Sequence, residues 1–161
     1  MVDHCIIRDN VSYGIELATN IREVNLDGCL IEDGSAEGIF IGRDAANVTI
    51  RNSQIRMNNS WGVRLAEAHN VIVSGCEILD NGAVGGVGGI WVGDFVTGCE
   101  NVNINNNVIG NHDTLDQDIG VKVDAGAIDP MIYDNQFVLV QTDALDVAAG
   151  VKFPRISGNR T

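Results

Sequence analysis

Val24-x-Leu26-x-Gly28-Cys29-x-Ile31-x-x-Gly34-x-x-x-Gly38-Ile39-x-Ile41 decides the fold, because the pattern returns. The next copy is Val48-x-Ile50-x-Asn52-Ser53-x-Ile55-x-x-Asn58-x-x-x-Gly62-Val63-x-Leu65. Val71-x-Val73-x-Gly75-Cys76-x-Ile78-x-x-Asn81 then leads, after an insertion, to Gly89-Ile90-x-Val92. Val102-x-Ile104-x-Asn106-Asn107-x-Ile109 leads to Gly120-Val121-x-Val123, and Pro130-x-Ile132-x-Asp134-Asn135-x-Phe137 to Ala144-Leu145-x-Val147. Partial copies flank these, Val2 to Leu17 at one end and Pro154-x-Ile156-x-Gly158-Asn159 at the other. Val2, Leu26, Ile50, Val73, Ile104, Ile132 and Ile156 are equivalent, in steps of 24, 24, 23, 31, 28 and 24 residues. A repeat of this length signals a solenoid.

Each copy holds three short alternating runs, for example Val48-x-Ile50, Ile55 and Val63-x-Leu65. Alternation sends one side chain inward and the next outward. Runs this short and this rich in β-branched residues are strands. Asn or Gly between runs supplies the left-handed backbone that sharp corners need. Three strands and their corners make one triangular coil, and copies stack about 4.8 Å apart into three parallel sheets. The expected fold is therefore all-β: a right-handed parallel β-helix of about seven coils, forming a single domain over residues 1–161. Leucine-rich repeats share the length, but this chain is poor in leucine and has no helical segment per copy. Left-handed hexapeptide helices need a six-residue period, which is absent.

Composition agrees. Hydrophobic residues make up 45% of the chain, enough for a core, while aromatics are 5% and glycines number 19, which suits tight turns and thin aliphatic layers. The net charge of −12 repels phosphate backbones and excludes nucleic acid as an expected partner. No apolar run approaches the roughly 20 residues that span a bilayer, so no membrane partner is expected, and no signal peptide is visible at Met1. Cys5, Cys29, Cys76 and Cys99 contain no Cys-x-x-Cys pair and match no zinc motif. An inward ladder runs Cys5, Cys29, Ser53, Cys76, Asn107, Asn135, Asn159, where small polar groups share hydrogen bonds up the stack. Its cysteines read as buried corner packing, with a Cys5–Cys29 disulfide as the alternative.

The succession Val-x-Ile, Asn-Asn-x-Ile, Gly-Ile-x-Val resembles the parallel β-helix repeats of the pectin lyase-like superfamily over nearly the whole chain. That superfamily includes pectate lyases, polygalacturonases, mannuronan C5-epimerases and phage tailspike depolymerases. The resemblance implies a polysaccharide partner, often acidic, and an extracellular or virion-associated location. It also implies that the strand entered at Gly-Ile-x-Val lines the substrate groove. The activity motifs do not carry over. Asn-Thr-Asp, Gly-His-Gly and Arg-Ile-Lys are missing, as is Arg-x-Pro-x-x-Arg. Asp129-Pro130-Met131 lacks the histidine of the epimerase Asp-Pro-His. The chain starts and stops inside a coil with no capping pattern. It reads as a fragment or trimmed section of a longer solenoid, or as a protomer hiding its ends by homo-oligomerisation or end-to-end stacking.

On the groove strand the outward ladder is expected to be Glu16, Phe40, Arg64, Trp91, Lys122, Asp146. Two enlarged loops enter this sheet, Asn81 to Gly88 and Asn111 to Ile119, with Asp94 and Asp124 leaving it. Phe40 and Trp91 are assigned to stacking on sugar rings, or alternatively read as scattered surface aromatics or an oligomer contact. Arg64 and Lys122 are assigned to a uronate carboxylate, or alternatively to cross-strand ion pairs with Asp146 or Glu16. Asp113, Asp116 and Asp118, with Lys122, form the candidate catalytic set; paired carboxylates serve as acid and base in glycosidases. Asp116, Asp118 and Asp124 permit a second reading as a Ca²⁺ site, since that ion takes about six to eight oxygens. A solvated acidic loop is the third. His69 and His112 read as surface residues. The run Gly85-Gly86-Val87-Gly88-Gly89 is no phosphate loop, because no Lys-Ser/Thr follows. The expected function is a carbohydrate-active β-helix that binds, cleaves or epimerises an acidic polysaccharide. The alternative is a non-catalytic shaft of a tail fibre, adhesin or surface protein.

Overall fold

The computed structural model describes residues 1–83, 85, 87–93, 98–112 and 117–161. Three parallel sheets enclose one aliphatic core, and no helix occurs among the described residues. The first sheet has seven strands: Val2–Asp3, Arg22–Asp27, Ala46–Arg51, His69–Ser74, Glu100–Asn105, Met131–Tyr133 and Arg155–Ser157. The second and third sheets have six strands each. The third comprises Ile15–Leu17, Ile39–Ile41, Val63–Leu65, Gly88–Val92, Ile119–Val123 and Asp143–Val147. The stack is therefore six full coils plus the opening strand of another, slightly fewer than the repeat count suggests.

Register follows the repeat residue for residue. Val2 pairs with Leu26, Leu26 with Ile50, Ile50 with Val73, Val73 with Ile104, Ile104 with Ile132 and Ile132 with Ile156. A slip of one residue would turn every inward Ile and Val outward, so the alternating pattern holds the strands in place. The inward columns Ile31, Ile55, Ile78, Ile109 and Ile39, Val63, Ile90, Val121 are fully buried.

The corners need left-handed backbone in each coil. Asn52, Asn106 and Asp134 supply it after the first sheet with φ of 50°, 55° and 55°, and Gly28, Gly75 and Gly158 do so in other coils. After the second sheet the same conformation falls on Asp33, Met57, Asp80 and Leu139. Met57 and Leu139 are not residues that a turn pattern flags, since a side chain with φ near +50° is unfavourable outside Gly, Asn and Asp.

Two buried polar ladders tie the coils together. In the first, the Cys29 N–H donates to Ser53 Oγ (3.1 Å), Cys76 N–H to Asn107 Oδ1 (2.9 Å) and Asn107 N–H to Asn135 Oδ1 (3.0 Å). This is the expected corner ladder. A second, not anticipated, runs Gly34, Asn58, Asn81. Gly34 N–H donates to Asn58 Oδ1 at 3.1 Å, and Asn58 Nδ2 donates to Asn81 Oδ1 at 3.0 Å. Each amide satisfies backbone groups that the corner removes from the sheet hydrogen bonding.

Candidate functional site

The third sheet's outer face carries the expected ladder. Glu16 pairs in register with Phe40, Phe40 with Arg64, Arg64 with Trp91, Trp91 with Lys122 and Lys122 with Asp146. Strand alternation places these six side chains outward, and parallel stacking makes them neighbours.

Their contacts alternate ring and cation. The Arg64 guanidinium lies 4.3 Å from the Trp91 ring centre and 5.5 Å from that of Phe40. Lys122 Nζ lies 5.3 Å from the Trp91 centre. Tyr13 stacks on Phe40 with centroids 4.9 Å apart, and the buried Trp61 packs against Trp91 at 5.6 Å. Phe40 thus lies between Tyr13 and Arg64, and Trp91 among Trp61, Arg64 and Lys122. The rings act as spacers that hold two partly desolvated cations.

The expected ion partners also change. Arg64 Nη1 pairs with Glu37 Oε1 at 3.2 Å, and Lys122 Nζ with Asp124 Oδ1 at 3.6 Å, rather than with Glu16 or Asp146. Glu37 lies in the column just before the glycine of each copy, the column that also holds Tyr13 and Trp61. Register alone points Arg64 at its strand neighbours. Reading the pre-glycine column as a second ladder beside the first would have found all three contacts.

Asp124 Oδ2 accepts the Trp91 indole N–H at 2.7 Å, so its two oxygens bridge Trp91 and Lys122. Arg64 Nε is buried with no hydrogen-bond partner among the described residues. Trp91→Phe should lower stability by about 2 kcal/mol, the usual scale for a hydrogen bond to a charged group, read as a shift in denaturant midpoint.

Asp113 and Asp116 of the candidate catalytic set, and Asp94, lie outside the described residues. Asp118 joins the two enlarged loops. Its N–H donates to Val87 O at 3.1 Å, and its carbonyl accepts from Thr142 N–H at 2.9 Å. Among the described residues, no group of three or more His, Cys, Asp or Glu is arranged to hold a metal. His112 is exposed, and its backbone N–H donates to Asp80 Oδ1 at 2.8 Å. His69 opens a first-sheet strand between Asp44 (3.9 Å) and Glu100 (3.6 Å).

The family described as right handed beta helix region matches residues 1–160. No curated protein sequence matches the chain significantly. Among solved structures, the A-module of mannuronan C-5 epimerase AlgE6 from Azotobacter vinelandii superposes with a TM-score of 0.69 at 16% identity, over 99% of this chain and 55% of that one. The periplasmic alginate epimerase AlgG gives 0.66 at 12% identity, over 96% and 39%. The A-module of AlgE4 from Azotobacter vinelandii gives 0.55 at 20% identity, over 97% and 44%. The chain thus spans about half the length of these proteins or less. At such identities the likeness is one of fold.

Proposed function

We propose that this chain, which belongs to the right handed beta helix region family, binds an anionic polysaccharide along the outer face of its third sheet. The observation that carries this reading is the Phe40–Arg64–Trp91–Lys122 ladder, with a cation on every second coil. Two coil steps are about 9.6 Å, near the length of a disaccharide, so a polymer lying along the helix axis meets the cations at its own repeat. Arg64 and Lys122 are pressed against rings, which strips water from them and strengthens their pull on a carboxylate. Glu37 and Asp124 hold them in place and keep the face from becoming a general anion trap. The likeness to mannuronan and alginate epimerases agrees with a uronate polymer as the ligand. Chemistry on the bound chain falls to Asp118, where the two enlarged loops meet, with Asp113, Asp116 and Lys122.

The test is a calorimetric titration with mannuronan, polygalacturonate and a neutral glucan at low salt. Sugar turnover is followed in parallel by reducing ends and by the absorbance of unsaturated uronates, with Ca²⁺ and with EDTA. Lys122→Ala should weaken uronate binding roughly tenfold, the equivalent of about 1.4 kcal/mol, and leave the fold intact, since its side chain is 33% exposed. Arg64→Ala should weaken it at least as much. Equal affinity for neutral and acidic glycans, or an unchanged affinity in Lys122→Ala, would overturn the reading and favour a structural shaft.

A further inference from the structure

The inner corner after the first sheet holds a residue in each coil whose job is to tie that coil to the next. Where the residue is Asn, the tie is strong. Asn107 Nδ2 reaches back to Val73 O and Asn135 Nδ2 to Ile104 O, each at 3.0 Å. Where it is Cys29, the same reach is made by sulfur, to Val2 O at 3.9 Å, a weak contact. Cys29 is also the one member of the ladder stacked on another cysteine. Asp3 pairs with Asp27 and Ile6 with Leu30, and Leu30 N–H donates to Cys5 O at 2.8 Å, so Cys5 and Cys29 stand in direct register. Both side chains pack against the core, and the Cys29 thiol adds to the burial that raises the Cys5 thiol's pKa.

We infer that Cys5 and Cys29 are a modification site: an oxidised low-molecular-weight thiol converts the pair into a disulfide that covalently joins adjacent coils. Coils stack about 4.8 Å apart, inside the roughly 4.4–6.8 Å Cα separation that a disulfide spans. The pairing is selective. Cys76 lies in the same ladder between Ser53 and Asn107 and has no cysteine above or below it. Cys99 sits in another column, with its Sγ–H directed at Leu65 O (3.5 Å).

The reaction balances as thiol–disulfide exchange. Cys5 is half-buried and Cys29 buried, so the Cys5 thiolate attacks one sulfur of oxidised glutathione and releases one glutathione thiolate. The Cys29 thiolate then attacks the Cys5 sulfur of the mixed disulfide, and the second glutathione leaves. Two protein thiols are oxidised, and one glutathione disulfide is reduced to two thiols. Burial, and then the neighbouring Cys29 thiol, push the Cys5 thiol up to about 11. The thiolate is the reactive form, so formation is slow near neutrality and accelerates as pH rises. Once closed, the bridge shortens the unfolded chain's freedom across the intervening coil and raises the melting temperature.

The experiment incubates the folded chain with oxidised glutathione, and separately with the small oxidant diamide, across neutral to alkaline pH. Intact mass and non-reducing peptide mapping follow. The expected product has lost two hydrogens, contains the Cys5–Cys29 cross-link, forms faster at higher pH and melts higher than the reduced chain. Cys29→Ser keeps the fold, because Ser53 occupies the same place one coil on, and it should stop at a glutathione adduct on Cys5. A wild-type chain that keeps that adduct, stays unmodified under both oxidants, or cross-links through Cys76 overturns the inference.

Discussion

Replacing Asn107 with leucine is expected to lower stability by about 3 kcal/mol, a fall of roughly 10 °C in melting temperature for a chain of this size. The side chain is 1% exposed and makes three bonds. Its Oδ1 accepts from Cys76 N–H at 2.9 Å, and its Nδ2 donates to Val73 O and to Asn135 Oδ1 at 3.0 Å each. Leucine fills nearly the same space, so no cavity opens. It does strand the Cys76 N–H in an aliphatic core, at about 1–3 kcal/mol, and it removes the amide's bond to the Val73 carbonyl. The extra apolar burial offsets part of this. Asn107→Ser is the control. Ser53 in the equivalent place keeps its hydroxyl on Cys29 N–H at 3.1 Å, so serine should retain one bond and lose about half as much. Equal denaturant midpoints for the leucine variant and the parent would mean that the ladder serves register without adding stability.

The same ladder shows why the architecture could be read from the residues. Its members recur at the repeat interval, and a stacked coil turns recurrence directly into contact. Cys29 over Cys5 and Asn135 over Asn107 needed no more than an alignment of copies. The outward order Glu16, Phe40, Arg64, Trp91, Lys122, Asp146 was legible for the same reason. Contacts between columns were not. Glu37 reaches Arg64 from the coil before it, and Asp124 folds back on Trp91 from beyond the end of a neighbouring strand. Side-chain length and rotamer decide such pairings, and neither leaves a periodic trace. Corner chemistry was legible where Asn and Gly occupy the left-handed positions and hidden at Met57 and Leu139, where the stack imposes a conformation that the residue disfavours. Asp113 and Asp116 stand out in the sequence by their charge and by their place in an enlarged loop beside the groove strand, and lie outside the described residues.

The groove ladder stands on a column of glycines, and Gly89→Ala should disturb both the fold and binding. Gly14, Gly38, Gly62, Gly89 and Gly120 open the third-sheet strands, where the coil is narrow. A Cβ on Gly89 would lie 2.5 Å from Gly120 O and 2.5 Å from Ile109 Cγ2. The first neighbour is backbone, held by the parallel pairing of Ile90 with Val121, and the second is a fully buried core side chain. Neither has room to retreat, so the strand must shift outward, at about 3 kcal/mol by the usual cost of overpacking. Trp91 is two residues further on the same strand, so the shift also spoils its fit between Arg64 and Lys122. Uronate affinity should fall several-fold even in the fraction that remains folded. Gly85→Ala separates this effect from a general intolerance of the neighbouring loop. Among the described residues its Cβ would meet only Asp118 Oδ2, at 3.7 Å, an ordinary contact, so stability should stay within about 0.5 kcal/mol of the parent. If Gly89→Ala were as stable as Gly85→Ala and bound uronate equally well, the ladder would not depend on close strand approach. The cations would then have to find their ligand by flexibility instead of by the rigid coil spacing.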